Sequence, residues 1–99
     1  MNIFEKFYDE TEKANVRFVG FSTEDIRYDF GIVYSHMFFG KPLVICMQTG
    51  RSALLDSEDL EDLDHLRQAF HLESIIQAKS LADFLKEAIP SIPLNTQYD

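Results

Sequence analysis

The stretch DSEDLEDLDHL, residues 56–66, places six carboxylates within nine residues, Asp56 to Asp64. Carboxylates at that density can hold a hard cation, steer a basic partner or simply face water. A helix–loop–helix calcium loop needs oxygens at alternating positions, a glycine sixth and a glutamate twelfth. Counted from Asp56, the third position is Glu58, but the fifth is Leu60, the sixth Glu61 and the twelfth Arg67. The match fails where the geometry is strictest, so no metal and no cofactor are assigned. A helix accounts for the run without an ion. Leu60, Leu63, Leu66 and Phe70 fall three or four apart, which is one helix face. Glu58, Asp59, Glu61 and Asp62 fall outside it, and Asp56 or Ser57 can cap free backbone N–H groups at the start. The solvated helix face is the preferred reading. A docking patch for a basic partner, carried by Glu58, Asp59 and Asp62, stays open, as does a cation shared across one helical turn by Asp62 with Asp59 or Glu58.

Other chemistry is sparse. Cys46 is the single cysteine and sits inside LVICM, where a buried small hydrophobe is the ordinary role. A reactive thiol would need an accessible, electropositive setting, and a dithiol mechanism has no second sulfur. His36, His65 and His71 show no spacing that makes a helical metal pair. Gly20, Gly31, Gly40 and Gly50 are isolated and form no phosphate-cradling loop. No catalytic residue is assigned. The stronger surface candidate is YSHMFFGK, where His36, Met37, Phe38 and Phe39 crowd one loop. Phe18, Phe21, Tyr28, Phe30, Tyr34, Phe70 and Phe84 already compete for the core of a 99-residue chain. At least one of Met37, Phe38 and Phe39 is therefore expected to be more than half exposed, or buried in a homodimer contact.

The elements that position these residues follow from periodicity. Residues 14–21 read as a strand and 26–35 as a second, with Tyr28, Phe30, Ile32 and Tyr34 on its buried side. STED, residues 22–25, is the turn between them. Gly31, inside that strand, marks a bulge or a close approach. Residues 43–48 are apolar on both faces until Gln48, which predicts a central strand covered on both sides. Thr49 and Gly50 form a hairpin turn, and 51–55 pair back as a fourth strand. After Leu55 the period changes from two to three or four, so helices follow. The last begins at Ser80, whose spacing to Asp83 suits a capping box, or runs from Glu73 and bends there. Pro90 ends it. Residues 3–8 read as an extra strand or a short helix. The expected fold is α+β: a four-stranded antiparallel meander with C-terminal helices on one face, one domain over 1–89 and a loose tail over 90–99.

The net charge is −8, from seventeen acids and nine bases. That balance argues against nucleic acid and anionic membranes as partners. No apolar run approaches the ~20 residues of a membrane span, and a lone cysteine without a secretory-type start points to the cytoplasm.

The segments VRFVGF, RYDFGIV, FFGKPLVICMQTGRSALL and DLED together resemble a family of small proteins of Gram-positive bacteria, the SAV-type domain of unknown function 3055. The resemblance spans about residues 7–85. It implies a cytosolic bacterial protein and brings no assigned active residues. The segment HLESIIQAKS departs from the family pattern and leaves the start of the last helix open. Two functional classes follow. One is a non-enzymatic interaction module acting through the aromatic loop or the acidic face, on a protein partner or on itself. The other is a small enzyme or ligand binder with a pocket around His36 or Cys46.

Overall fold

A computed structural model of the chain describes residues 3–22 and 26–89. Four strands come first, β1 (Asn15–Ser22), β2 (Arg27–Tyr34), β3 (Leu43–Cys46) and β4 (Ser52–Leu54). Two helices follow, α1 (Leu63–Phe70) and α2 (Ile75–Ala88). The strands pair antiparallel in the order β1-β2-β3-β4. The fold is therefore the α+β meander that the change of period after Leu55 predicts. Of the expected turn over 22–25 only Ser22 is described, and Pro90 with the expected tail over 90–99 lies outside the described residues.

Period two on β2 builds the core. Tyr28, Phe30 and Ile32 are buried on one side of the sheet, joined by Val44 and Cys46 of β3. The helices close over them with Leu66, Phe70, Ala78, Leu81, Ala82 and Leu85. Each large side chain so buried stabilises the fold by about 1.5–3 kcal/mol. Ring geometry adds specificity. Phe30 meets Phe70 edge-on at 5.4 Å, and Phe21 stacks on Phe84 at 4.0 Å. Tyr34 donates its hydroxyl hydrogen to the Ala88 carbonyl at 2.8 Å, tying the end of β2 to the end of α2.

Three sequence expectations are corrected. The acidic run is not one helix. Asp59–Glu61 makes a single tight turn, Asp62 breaks it at φ −95° and ψ 89°, and α1 starts afresh. The break is chemical: the Asp62 side chain accepts from the His65 N–H at 3.1 Å, and short acids that bind nearby backbone favour caps over helix interiors. Leu60 is still buried, because the turn aims it at the core. The last helix does not begin at Ser80; the longer alternative is the one observed, starting at Ile75 rather than Glu73 and running on through Ser80. Ser74 caps it by accepting from the Gln77 N–H at 3.2 Å, while Gln77 accepts from the Glu73 N–H at 2.9 Å. SIIQ has the capping-box spacing, with Gln77 reaching back one residue beyond the cap to the Glu73 N–H rather than to that of Ser74, and Ser80 lies mid-helix. Residues 3–14 form neither strand nor helix; so short a segment is marginal without packing against the domain.

The second sheet face departs furthest from expectation. Both helices lie on one side, so the far side of β3 is uncovered and Leu43 and Ile45 are only half-buried. Phe18, counted above as core, is 73% exposed on that side. It pairs across strands with Gly31. A Cβ built on Gly31 would lie 3.4 Å from the Phe18 ring and 3.6 Å from the Met47 sulfur. The register is continuous, so Gly31 marks no bulge; a ring and a thioether lean over the space its side chain would fill.

The cap assignment has a direct check. Ser74→Ala should cost about 1 kcal/mol in urea unfolding, whereas Ser80→Ala should stay within about 0.5 kcal/mol of the wild type. Equal effects would place the helix start elsewhere.

Candidate functional site

The loop between β2 and β3 is built on unusual backbone. Phe38, Phe39 and Gly40 have φ of 55°, 65° and 73°. Glycine takes such values freely, but a bulky residue there is a true outlier. The turn is closed by the Gly40 N–H to the Met37 carbonyl at 3.1 Å and the Lys41 N–H to the Phe38 carbonyl at 3.3 Å. It holds Phe39 completely in solvent, 100% exposed, and Phe38 about half exposed, while Met37 is half-buried. The expected exposure in this loop is met by Phe39. Two aromatics in the left-handed region cost about 1–2 kcal/mol each, and the Phe39 ring buries no surface to offset its share.

The root of the loop is pinned by the acidic run. Lys41 donates to Asp59 at 3.0 Å and lies 3.7 Å from Asp56. Asp56 and Asp59 cap each other, each backbone N–H donating to the other's carboxylate at 2.9 Å. Burial pushes the Asp59 carboxyl up, but the Asp56 N–H and the Lys41 ammonium outweigh it, and the net displacement is downward. The hydrogen bond to Asp59, with the attraction of both carboxylates, raises Lys41. Of the three acids singled out above, Asp59 is engaged with Lys41, Asp62 caps α1, and Glu58 is exposed beside them. Periodicity assigned these acids to water, and nothing in it signalled that Lys41 would reach them.

The other end of the loop is held by a residue that the sequence reading missed. Glu12 accepts from the Ser35 hydroxyl and from the His36 N–H, both at 2.7 Å. The His36 amide, then the Ser35 hydroxyl, lower its carboxyl below the usual range. Glu12 takes the amide of His36, not the imidazole, so it does not orient the ring for proton transfer. Tyr8, Glu10, Thr11, Glu12, His36 and Met37 line a recess of about 480 Å³ there.

Cys46 faces a separate cleft of about 350 Å³ between the sheet and the α1–α2 junction. Tyr28, Phe30, Cys46, Phe70 and Leu72 give it an apolar floor; Arg27, Gln48, Thr49, His71, Glu73 and Gln77 line its polar rim. The thiol is 6% exposed and lies 3.6 Å from the Gln48 side-chain oxygen. His71 lies in the same cleft, but its Nδ1 accepts from Arg51 at 2.9 Å. Arginine can only donate, so that nitrogen is occupied, and no hydrogen bond joins thiol to imidazole among the described residues. Burial, followed by Cys46 and Glu73, pushes the Tyr28 hydroxyl up. Such a cleft can hold a small, mostly apolar ligand with a polar end. Among the described residues no group of three or more His, Cys, Asp and Glu side chains is placed to hold a metal ion. No helix of the described residues is long and apolar enough to cross a membrane.

A family model described as SAV0927-like matches residues 7–87. That is most of the chain, and the chain belongs to this SAV-type family, which is uncharacterised. No curated protein matches it.

Two measurements follow from this geometry. A buried thiol reacts poorly, so a thiol reagent should label Cys46 fast in denaturant and at least about tenfold more slowly in the native protein. Equal rates would mean an accessible, reactive cysteine. For the clasp, the folded-state pKa of Asp59 is depressed, so its contribution is present above the unfolded value of about 3.9 and is lost as pH falls through the folded value. Asp59→Asn should therefore cost about 1 kcal/mol at neutral pH, and the urea midpoints of mutant and wild type should draw together as pH falls below about 3.9 and through the lowered folded-state value.

Proposed function

We propose that this SAV0927-like chain is a non-enzymatic protein-interaction module whose recognition element is the aromatic loop. One observation carries the reading: Phe39 is wholly exposed on backbone that a phenylalanine adopts only at a cost. Strained residues persist where the surroundings over-determine them, and they cluster at functional sites. Here Glu12 and Lys41 supply that constraint from the two ends of the loop. A large ring held in place loses little entropy on binding, which makes it a good anchor. Met37, Phe38 and His36 flank the anchor. Glu58, exposed beside the Asp59–Lys41 pair, adds negative charge that favours a partner with a basic edge; Asp62 is taken up in capping α1. The setting we propose is the bacterial cytoplasm, as the resemblance to domain of unknown function 3055 implies; a single unpaired cysteine suits it.

A ligand-binding role for the Cys46 cleft is the second reading, favoured by its apolar floor and polar rim. An enzyme there is less supported, because thiol and imidazole each have another partner.

The loop reading is tested in cells. A photo-crosslinking phenylalanine analogue placed at Phe39 should give a discrete protein adduct, and the same analogue at Lys79, on the outer side of α2, should not. Phe39→Gly should remove the partner while raising stability by about 1 kcal/mol, because glycine relieves the left-handed backbone. No adduct above the Lys79 control would remove the loop from the proposal.

A further inference from the structure

The chain carries two apolar surfaces that it does not bring together. One is the arm of residues 3–14. Ile3, Phe4, Phe7 and Tyr8 are 80%, 83%, 87% and 59% exposed. The other is the open face of the sheet. Val16 and Phe18 of β1 and Met47 after β3 are large and exposed there, around half-buried Val33, Leu43, Ile45 and Leu54. The alternation of paired residues puts all seven on the side away from the helices. The arm does not lie on its own open face, where its side chains would be covered. Asn15 pairs with Tyr34, and three residues earlier Glu12 is bonded to Ser35 and His36. The arm therefore runs on past the end of its own sheet.

We propose that the occupant of the open face is the arm of a second copy, exchanged reciprocally about a two-fold axis. Area supports the second copy. With about 200 Å² for a fully exposed phenylalanine, the four arm side chains offer roughly 600 Å² and Val16, Phe18 and Met47 roughly 300 Å². Exchange in both directions removes at most roughly 1,800 Å² from water, within the 1,200–2,000 Å² of stable specific interfaces. Arm against arm would bury at most roughly 1,200 Å², the bottom of that range, and face against face roughly 600 Å². The two-fold arrangement makes every contact twice and leaves neither arm nor face over, which closed symmetry requires. It uses neither Phe38 nor Phe39, so it goes beyond the loop reading and stands independently of it.

Sedimentation velocity on the full chain and three variants tests the exchange. The wild type should be a dimer at micromolar concentration. Phe4→Ser with Phe7→Ser removes the arm's anchors, and Phe18→Ser removes the centre of the face. All three side chains are exposed in the single chain, so each variant should keep the wild-type circular dichroism and sediment as a monomer. Each hot-spot aromatic accounts for about thirtyfold or more in affinity, and the two-fold removes two of them from each of two arms, so the arm variant should bind itself well over about a thousandfold more weakly. The decisive sample is an equimolar mixture of the arm variant and the face variant. One intact arm then meets one intact face, roughly 900 Å² in all, so a heterodimer weaker than the wild-type dimer should form, at protein concentrations where neither variant pairs alone. Phe39→Ala should dimerise as the wild type does, whatever the outcome for the loop's own partner. A wild type that stays monomeric, a dimer that survives both sets of changes, or a mixture that associates no more than either variant alone up to the highest concentration reached would each overturn arm exchange; the last would point to arm-on-arm or face-on-face contact.

Discussion

Everything else in the molecule hangs on the strict alternation of β2. Tyr28, Phe30 and Ile32 point to one side and are buried; Arg27, Asp29, Gly31 and Val33 point to the other. A slip of one residue would exchange the two sets and put Arg27 and Asp29 under the helices. The flanking strands inherit the choice through register, Val19 and Phe21 from β1, Val44 and Cys46 from β3. The helices then have one place to dock, and Phe70 and Phe84 find rings already set at the spacing that edge-on and stacked contacts require. On the other side, the same alternation strands Phe18 over a glycine.

That alternation is also the part of the protein most legible in its sequence. The meander, a hairpin closing at Gly50 and the side of β2 that turns inward all follow from period two and turn chemistry, because these are local; the hairpin loop is Met47–Gly50 rather than Thr49–Gly50, since β3 ends at Cys46 and the Gly50 N–H returns to the Cys46 carbonyl. What was not legible depends on partners distant in sequence. Phe18 looks like core because phenylalanine in a strand usually is; only the one-sided placement of both helices decides otherwise. The acid run reads as a helix because its leucines keep the period, while the break at Asp62 comes from side chains binding nearby backbone. SIIQ did carry a readable signal for the start of α2, masked by the similar spacing of Ser80 and Asp83.

The loop shows the same division. Crowding of aromatics predicted that one would be left outside, and Phe39 is. Its backbone was not predictable from composition, since nothing in SHMFFGK requires positive φ at a phenylalanine. The geometry belongs to the two clamps, Glu12 from before the sheet and the Asp56–Asp59 pair from after it. Segments on either side of the sheet thus meet at one short loop, and acids that seemed a separate surface become its foundation.

The order of the strands has a consequence during synthesis. A meander with sequential neighbours can pair as it leaves the ribosome, since no strand waits for a later one. Its inward face cannot be covered at that moment, because α1 and α2 follow β4 in the chain. At about 5–20 residues per second, roughly thirty further residues keep Phe30, Ile32 and Val44 in water for about 2–6 seconds. During that interval both faces of the sheet are apolar beside the open edge of β1, the state in which sheets aggregate. Asp9, Glu10 and Glu12, shortly before that edge strand, supply charge beside it, as gatekeeping residues do.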